Sequence, residues 1–134
     1  SSRNRSALVR IPTTMVQDGL RMEYRSPDPA ANPYLVLALL LRSGLDGIAH
    51  ERSPGGPTNE AAYEMSAAER QERGIAMLPE TLKEALDLMT QSPFVLETLG
   101  DHIYEHFVRA KLLEWDIYRS QVHPWELDQY LAAL

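Results

Sequence analysis

Two short stretches near the start of the 134-residue chain gather charge of a kind that can handle phosphate. The first, Arg3-Asn-Arg-Ser-Ala-Leu-Val-Arg-Ile-Pro12, holds Arg3, Arg5 and Arg10; the second, Leu20-Arg-Met-Glu-Tyr-Arg25, holds Arg21, Glu23 and Arg25. Lysine is absent until Lys83. Arginine without lysine points to bidentate recognition of phosphate or carboxylate, because the planar guanidinium fork matches those groups and an ammonium does not. A core could not absorb so many ions without a large desolvation cost. A lone carboxylate among arginines is a poor anion ligand and a reasonable oxygen donor to a divalent cation that also touches phosphate. The plain reading of the same pattern is a solvent-facing row of Arg–Glu–Arg ion pairs.

Each stretch reads as a β-strand, with Gln17-Asp18-Gly19 as turn chemistry between them. Side chains two apart share a face. Arg21, Glu23 and Arg25 therefore fall on one side of the second strand, and Met22 and Tyr24 on the other. Arg10 falls opposite Val9 and Ile11.

The order and spacing of RNRSALVRIP, RMEYRSPDPAANPY (21–34) and Gly44-Leu-Asp-Gly-Ile48 resemble the end of the catalytic domain of glutamine synthetase, the bacterial class I type. The resemblance runs to the last residues. It implies an enzyme that transfers the γ-phosphoryl group of ATP to L-glutamate and lets ammonia displace phosphate from γ-glutamyl phosphate. It implies that Arg5, Arg10 and Arg21 bind ATP phosphates. Arg25 is implied to contact glutamate and the phosphoryl group in transit, with Arg5 sharing glutamate binding and catalysis. Glu23 is implied to be one of three protein ligands to the second of two Mg²⁺ or Mn²⁺ ions. Fixed cations suit this chemistry because negative charge builds on the phosphoryl oxygens. The implied assembly is a cytoplasmic dodecamer of two hexameric rings, with sites shared between neighbouring subunits and a regulator protein as a possible partner of the last region. Alternatives are a γ-glutamyl ligase of the same fold using another amine, and a non-catalytic structural or regulator-binding member.

The expected fold is α+β. Residues 1–26 form an antiparallel hairpin from a larger curved sheet, and 27–134 form a mostly helical part with a loop near 49–62. With no initiating Met and a charged strand at the outset, the chain is expected to be a piece of a longer protein, without its N-terminal domain and upstream catalytic strands, and inactive alone. Asn32 and Pro33 start a helix over Tyr34–Ser43 that is apolar nearly all round, and Gly44 is expected to end it. Ser66 and Glu69 form a capping box for a helix to Arg73, stopped by Gly74. Leu82, Ala85, Leu86 and Met89 mark an amphipathic helix ending at Thr90. Ser92-Pro93 opens another to Leu99, Gly100 closes it, and Asp101 starts the longest helix, to about Gln121. His123-Pro124 breaks that helix, and Trp125–Leu134 forms the last.

The net charge of −6 argues against nucleic acid as partner. The absence of cysteine removes disulfides and thiolate metal sites. The apolar run Leu35–Leu41 falls well short of the roughly 20 residues a membrane helix needs. Asn4-Arg5-Ser6 matches a glycosylation sequon, not expected to be used without a secretory signal. Asp28 and Asn32 read as turn and cap residues. His102 and His106 have two-histidine metal spacing but read as surface residues. Tyr63 sits where one glutamine synthetase subtype is adenylylated; its surroundings resemble the other, feedback-inhibited subtype, so modification is not expected. Glu105, Arg109, Lys111 and Glu114 read as a solvated or inter-subunit face.

Overall fold

A computed structural model describes residues 4, 6–12, 21–58 and 60–131. The chain divides into two compact units, Ser1–Leu78 and Pro79–Leu134. The architecture is α+β: one two-stranded antiparallel sheet with helices after it.

In the first unit, β1 (Val9–Arg10) pairs with β2 (Glu23–Tyr24) in the register Val9↔Tyr24 and Arg10↔Glu23. The Arg25 amide extends the ladder to the Leu8 carbonyl at 2.9 Å. The expected turn at 17–19 lies outside the described residues. Asp28 then folds the chain back, its Oδ1 accepting from the Ala30 amide at 2.7 Å. Asn32 caps α1 (Pro33–Ala49) by accepting from Tyr34 and Leu35 at 3.0 and 3.4 Å. Both Asx residues are thus structural, as expected.

Helix α1 does not stop at Gly44, contrary to the sequence expectation. Gly44 and Gly47 remain helical, at a propensity cost of roughly 1 kcal/mol each. The helix closes instead with a Schellman motif: Arg52 N–H donates to Gly47 O at 2.9 Å and Glu51 N–H to Ile48 O at 3.2 Å. The left-handed residue is Glu51, at φ 49°, where glycine is usual. The Asp46 carboxylate holds Arg52 at 2.8 Å just beyond the helix end.

A single turn of 3₁₀ helix, Ala62–Glu64, precedes α2 (Ala67–Glu72). The Ser66–Glu69 capping box is present, and Gly74 at φ 64° ends α2 with its own Schellman bonds, Ile75 N–H to Arg70 O and Gly74 N–H to Gln71 O. Met65 is the buried apolar residue of this unit among those described.

In the second unit, α3 (Leu82–Thr90) packs on α4 (Pro93–Arg119). Leu86 is 3% exposed, and Leu82, Ala85 and Met89 share its half-buried face, as their spacing predicts. Gly100 breaks α4 at φ 72°, ψ 157°. The expected pair of helices on either side of Gly100 is therefore present, joined at an angle. The inner face of α4 runs through Tyr104, Phe107, Val108, Lys111 and Trp115. The last helix, α5 (Pro124–Tyr130), has Pro at its first position. No helix among the described residues is long and apolar enough to cross a membrane.

Candidate functional site

The register of the hairpin decides which side chains meet. Opposite residues in an antiparallel pair point to one face, so Arg10 and Glu23 lie side by side. Arg25, two residues on, returns to that face. The Glu23 carboxylate accepts from Arg10 Nη1 at 3.2 Å and from Arg25 Nη2 at 3.0 Å. All three side chains are about 30% exposed, enough for a ligand to reach them. Arg21 is exposed two residues before Glu23. Arg3 and Arg5 lie outside the described residues.

The Arg25 hydrogen bond is the largest influence and holds the Glu23 carboxyl below the usual carboxylate range; burial opposes it as the next largest, and the Arg10 charge, the Arg10 hydrogen bond and the Arg25 charge each lower it further. Glu23 is therefore a full anion at neutral pH with oxygen atoms shared between two cations. Its hard oxygens suit Mg²⁺ or Mn²⁺. It supplies one ligand: among the described residues no group of three His, Cys, Asp or Glu is gathered.

The opposite face of the hairpin is apolar. Val9, Met22 and Tyr24 border a recess of about 500 Å³ whose far wall is Val36, Leu39, Leu40 and Ser43 of α1. The arginine face lies on the other side of the hairpin from this recess.

Sequence reasoning missed Asn4. It is 7% exposed, and its Nδ2 donates to Thr58 O at 3.1 Å and Glu60 O at 2.6 Å. Its Oδ1 accepts from the Ser6 amide at 2.9 Å and the Ser6 hydroxyl at 2.6 Å. An Nδ2 so buried and so bonded is no glycan acceptor, which agrees with setting the sequon aside. The only local signal was an Asn-x-Ser turn; its partners, 54 and 56 residues away, leave no trace in the sequence.

Tyr63 is 74% exposed on the 3₁₀ turn. The His102 and His106 rings meet at a tilt of 57° with centroids 4.5 Å apart on α4. The Glu126 carboxylate accepts from the His123 amide at 3.3 Å, and the His123 ring lies 5.2 Å from the Tyr118 ring. Lys111 pairs with Glu114 at 2.6 Å along α4.

Comparison with known proteins gives this arrangement a family. The model of the glutamine synthetase catalytic domain matches residues 1–130. The chain is 54% identical over 134 residues to a glutamine synthetase of Methanosarcina mazei, covering all of this chain and 30% of that protein. It is 48% identical over 133 residues to a glutamine synthetase of Thermus thermophilus, again covering 30% of it. The fold superposes on a solved structure described as "Apo GmaS without ligand" with a TM-score of 0.75 and 34% identity, covering 96% of this chain and 28% of that one. The chain thus spans about 30% of the length of the curated relatives it matches. The charged hairpin, the capped helix behind it and the match over nearly the whole chain agree, and the chain belongs to the glutamine synthetase catalytic-domain family.

Proposed function

We propose that these residues form the closing part of the catalytic domain of a longer, cytoplasmic glutamine synthetase, comprising the active-site hairpin (1–26) and a helical part (27–134). The whole protein joins ammonia to L-glutamate with ATP, through γ-glutamyl phosphate. The observation that carries this reading is the Arg10–Glu23–Arg25 row, held within 3.2 Å on one exposed face.

Arg10, with Arg5 and Arg21, holds the phosphates of ATP. Arg25 faces the glutamate carboxylate and the phosphoryl group as it moves, with Arg5 beside it. Glu23 would hold Mg²⁺ or Mn²⁺, which when bound screens charge on the phosphoryl oxygens. The ion pairs keep Glu23 ionised and hold both guanidiniums on the site face. Phosphate oxygens can then take over the guanidinium hydrogen bonds with little side-chain reordering. The remaining ligands and the ammonia site belong to other parts of the protein, so these residues alone are inactive. The whole assembles as a dodecamer of two hexameric rings, supported by the exposed Trp125, Leu127, Tyr130 and Leu131 of the last segment, which suit insertion between rings.

Because the fold also superposes on a relative with another name, the amine is to be compared directly. The test is ATP-dependent amide formation from glutamate with ammonia, methylamine or a polyamine, in the full-length protein and in Glu23→Gln. Ammonia turnover that falls by about a hundredfold or more in Glu23→Gln is expected. Preference for another amine with the same fall would move the substrate. No turnover with any amine in correctly assembled, metal-loaded protein would overturn the reading.

A further inference from the structure

Beyond the charged face lies a polar clasp that ties the stretch preceding β1 to a distant segment. Asn4 uses both Nδ2 hydrogens, on Thr58 O and Glu60 O, and both Oδ1 lone pairs, on the Ser6 amide and hydroxyl. That is the full capacity of the side chain. The Ser6 hydroxyl in turn accepts from the Ala62 amide at 2.9 Å. The 60–65 segment is itself anchored to α2 and its C-cap. Arg70 Nη1 donates to Met65 O at 2.6 Å and Ala62 O at 3.4 Å, and Arg73 pairs with Glu60.

We infer that Asn4 and Ser6 are positioning residues for the phosphate-binding arginines of the first strand. The inference rests on the proposed function. Arg10 lies four residues beyond Ser6, at most about 13 Å of chain, with a turn at Ser6 and a bend at Leu8 before β1 begins. At its far end the strand is held by the short β1–β2 ladder and the Arg25–Leu8 bond. A two-stranded hairpin is marginal by itself. The clasp supplies the second fixed point, and so sets where Arg10 presents its guanidinium. Asparagine is required rather than aspartate: a carboxylate would set a second oxygen against the carbonyls of Thr58 and Glu60. A displacement of about 1 Å at a group that orients substrate can cost up to about a hundredfold in rate.

The experiment measures kcat and the KM for ATP in the full-length protein and in Asn4→Ala, Asn4→Asp, Ser6→Ala and Ser6→Thr. Asn4→Ala is expected to raise the KM for ATP about tenfold or more and to lower kcat. Asn4→Asp moves the same way. Ser6→Ala does so to a smaller extent, and Ser6→Thr, which keeps the hydroxyl, restores the native KM. A purely structural role would reduce the amount of active enzyme and leave the KM of the remainder unchanged. Native KM values for ATP in the alanine variants, whatever happens to total activity, would overturn the inference. If Asn4→Ala does not fold, Ser6→Ala alone decides, because it removes two hydrogen bonds and leaves Asn4 on its two carbonyls. An unsubstituted protein without ATP-dependent activity would overturn the functional reading, and this inference with it.

Discussion

Gly100 offers a substitution whose sign separates two accounts of the long helix. Alanine is the best helix former, so Gly100→Ala would stabilise a continuous helix by roughly 1 kcal/mol. The structure predicts the reverse. Gly100 sits at φ 72°, ψ 157°, a region open essentially to glycine alone, where another residue costs about 1–3 kcal/mol. A Cβ at this position meets nothing within 4 Å, so no clash adds to that cost. Reduced freedom of the unfolded chain returns about 0.4–1 kcal/mol. The net expectation is a loss of about 1–2 kcal/mol, a factor of about 5–30 in a local opening equilibrium. The assay is hydrogen exchange of the α3 and α4 amides in the intact protein, read by mass spectrometry. Exchange should accelerate by that factor across the 93–119 segment and stay unchanged in α1. Unchanged or slower exchange around position 100 would refute the reasoning, because it would mean that the chain follows helix propensity there and that glycine does not impose the break.

Glu51→Gly places glycine at the left-handed position that ends α1; it should slow exchange of the last α1 turn by about 0.5–1 kcal/mol. Leu86→Ala, at a residue 3% exposed between α3 and α4, should cost about 2–5 kcal/mol and lower the thermal midpoint of this unit, as seen by limited proteolysis against temperature. The Glu69 carboxyl is held below its usual range, chiefly by the Ser66 hydroxyl and then by the Ser66 amide. A folded-state pKa that is depressed adds stability above the unfolded value, and that stability fades as pH falls through the folded value. Protection of α2 should therefore weaken below about pH 4.5 in the native chain, and Glu69→Gln should flatten this dependence.

The helices were legible where local chemistry ends them. Asn32-Pro33, Ser66 with Glu69, and Gly74 each announce a boundary through side chains within four residues, and each was found where expected. Gly44 misled because glycine permits a left-handed turn without requiring one, and Leu45 and Ile48 continue the apolar spacing of Leu41 past it. The true stop uses Glu51, a residue with no sequence signature for that role. The meeting of Glu23 with Arg25 follows from the two-residue strand period. Its meeting with Arg10 depends on register, which the turn and the packing behind the hairpin determine. The Asn4 clasp was invisible because its acceptors are backbone carbonyls, and any sequence at Thr58 and Glu60 presents those.

Register links the site to the helix behind it. A slip of one residue between β1 and β2 would exchange the faces of one strand. Arg10 would then turn toward Val36, Leu39 and Leu40, while Val9 joined Glu23 on the open face. Val9, which occupies that side of the hairpin, is 41% exposed, so Arg10 would keep part of its hydration there and would lose chiefly its pairing with Glu23, at about 1 kcal/mol or less. The observed register puts Val9, Met22 and Tyr24 on the side of the α1 recess and lets Arg10, Glu23 and Arg25 converge on the other. The far wall of that recess is Val36, Leu39 and Leu40 of α1. The extension of α1 past Gly44 to its Schellman stop lengthens the helix that this wall belongs to. An apolar-to-charged change at Leu39 should accordingly weaken the Arg10–Glu23 pairing before it unfolds the helix itself.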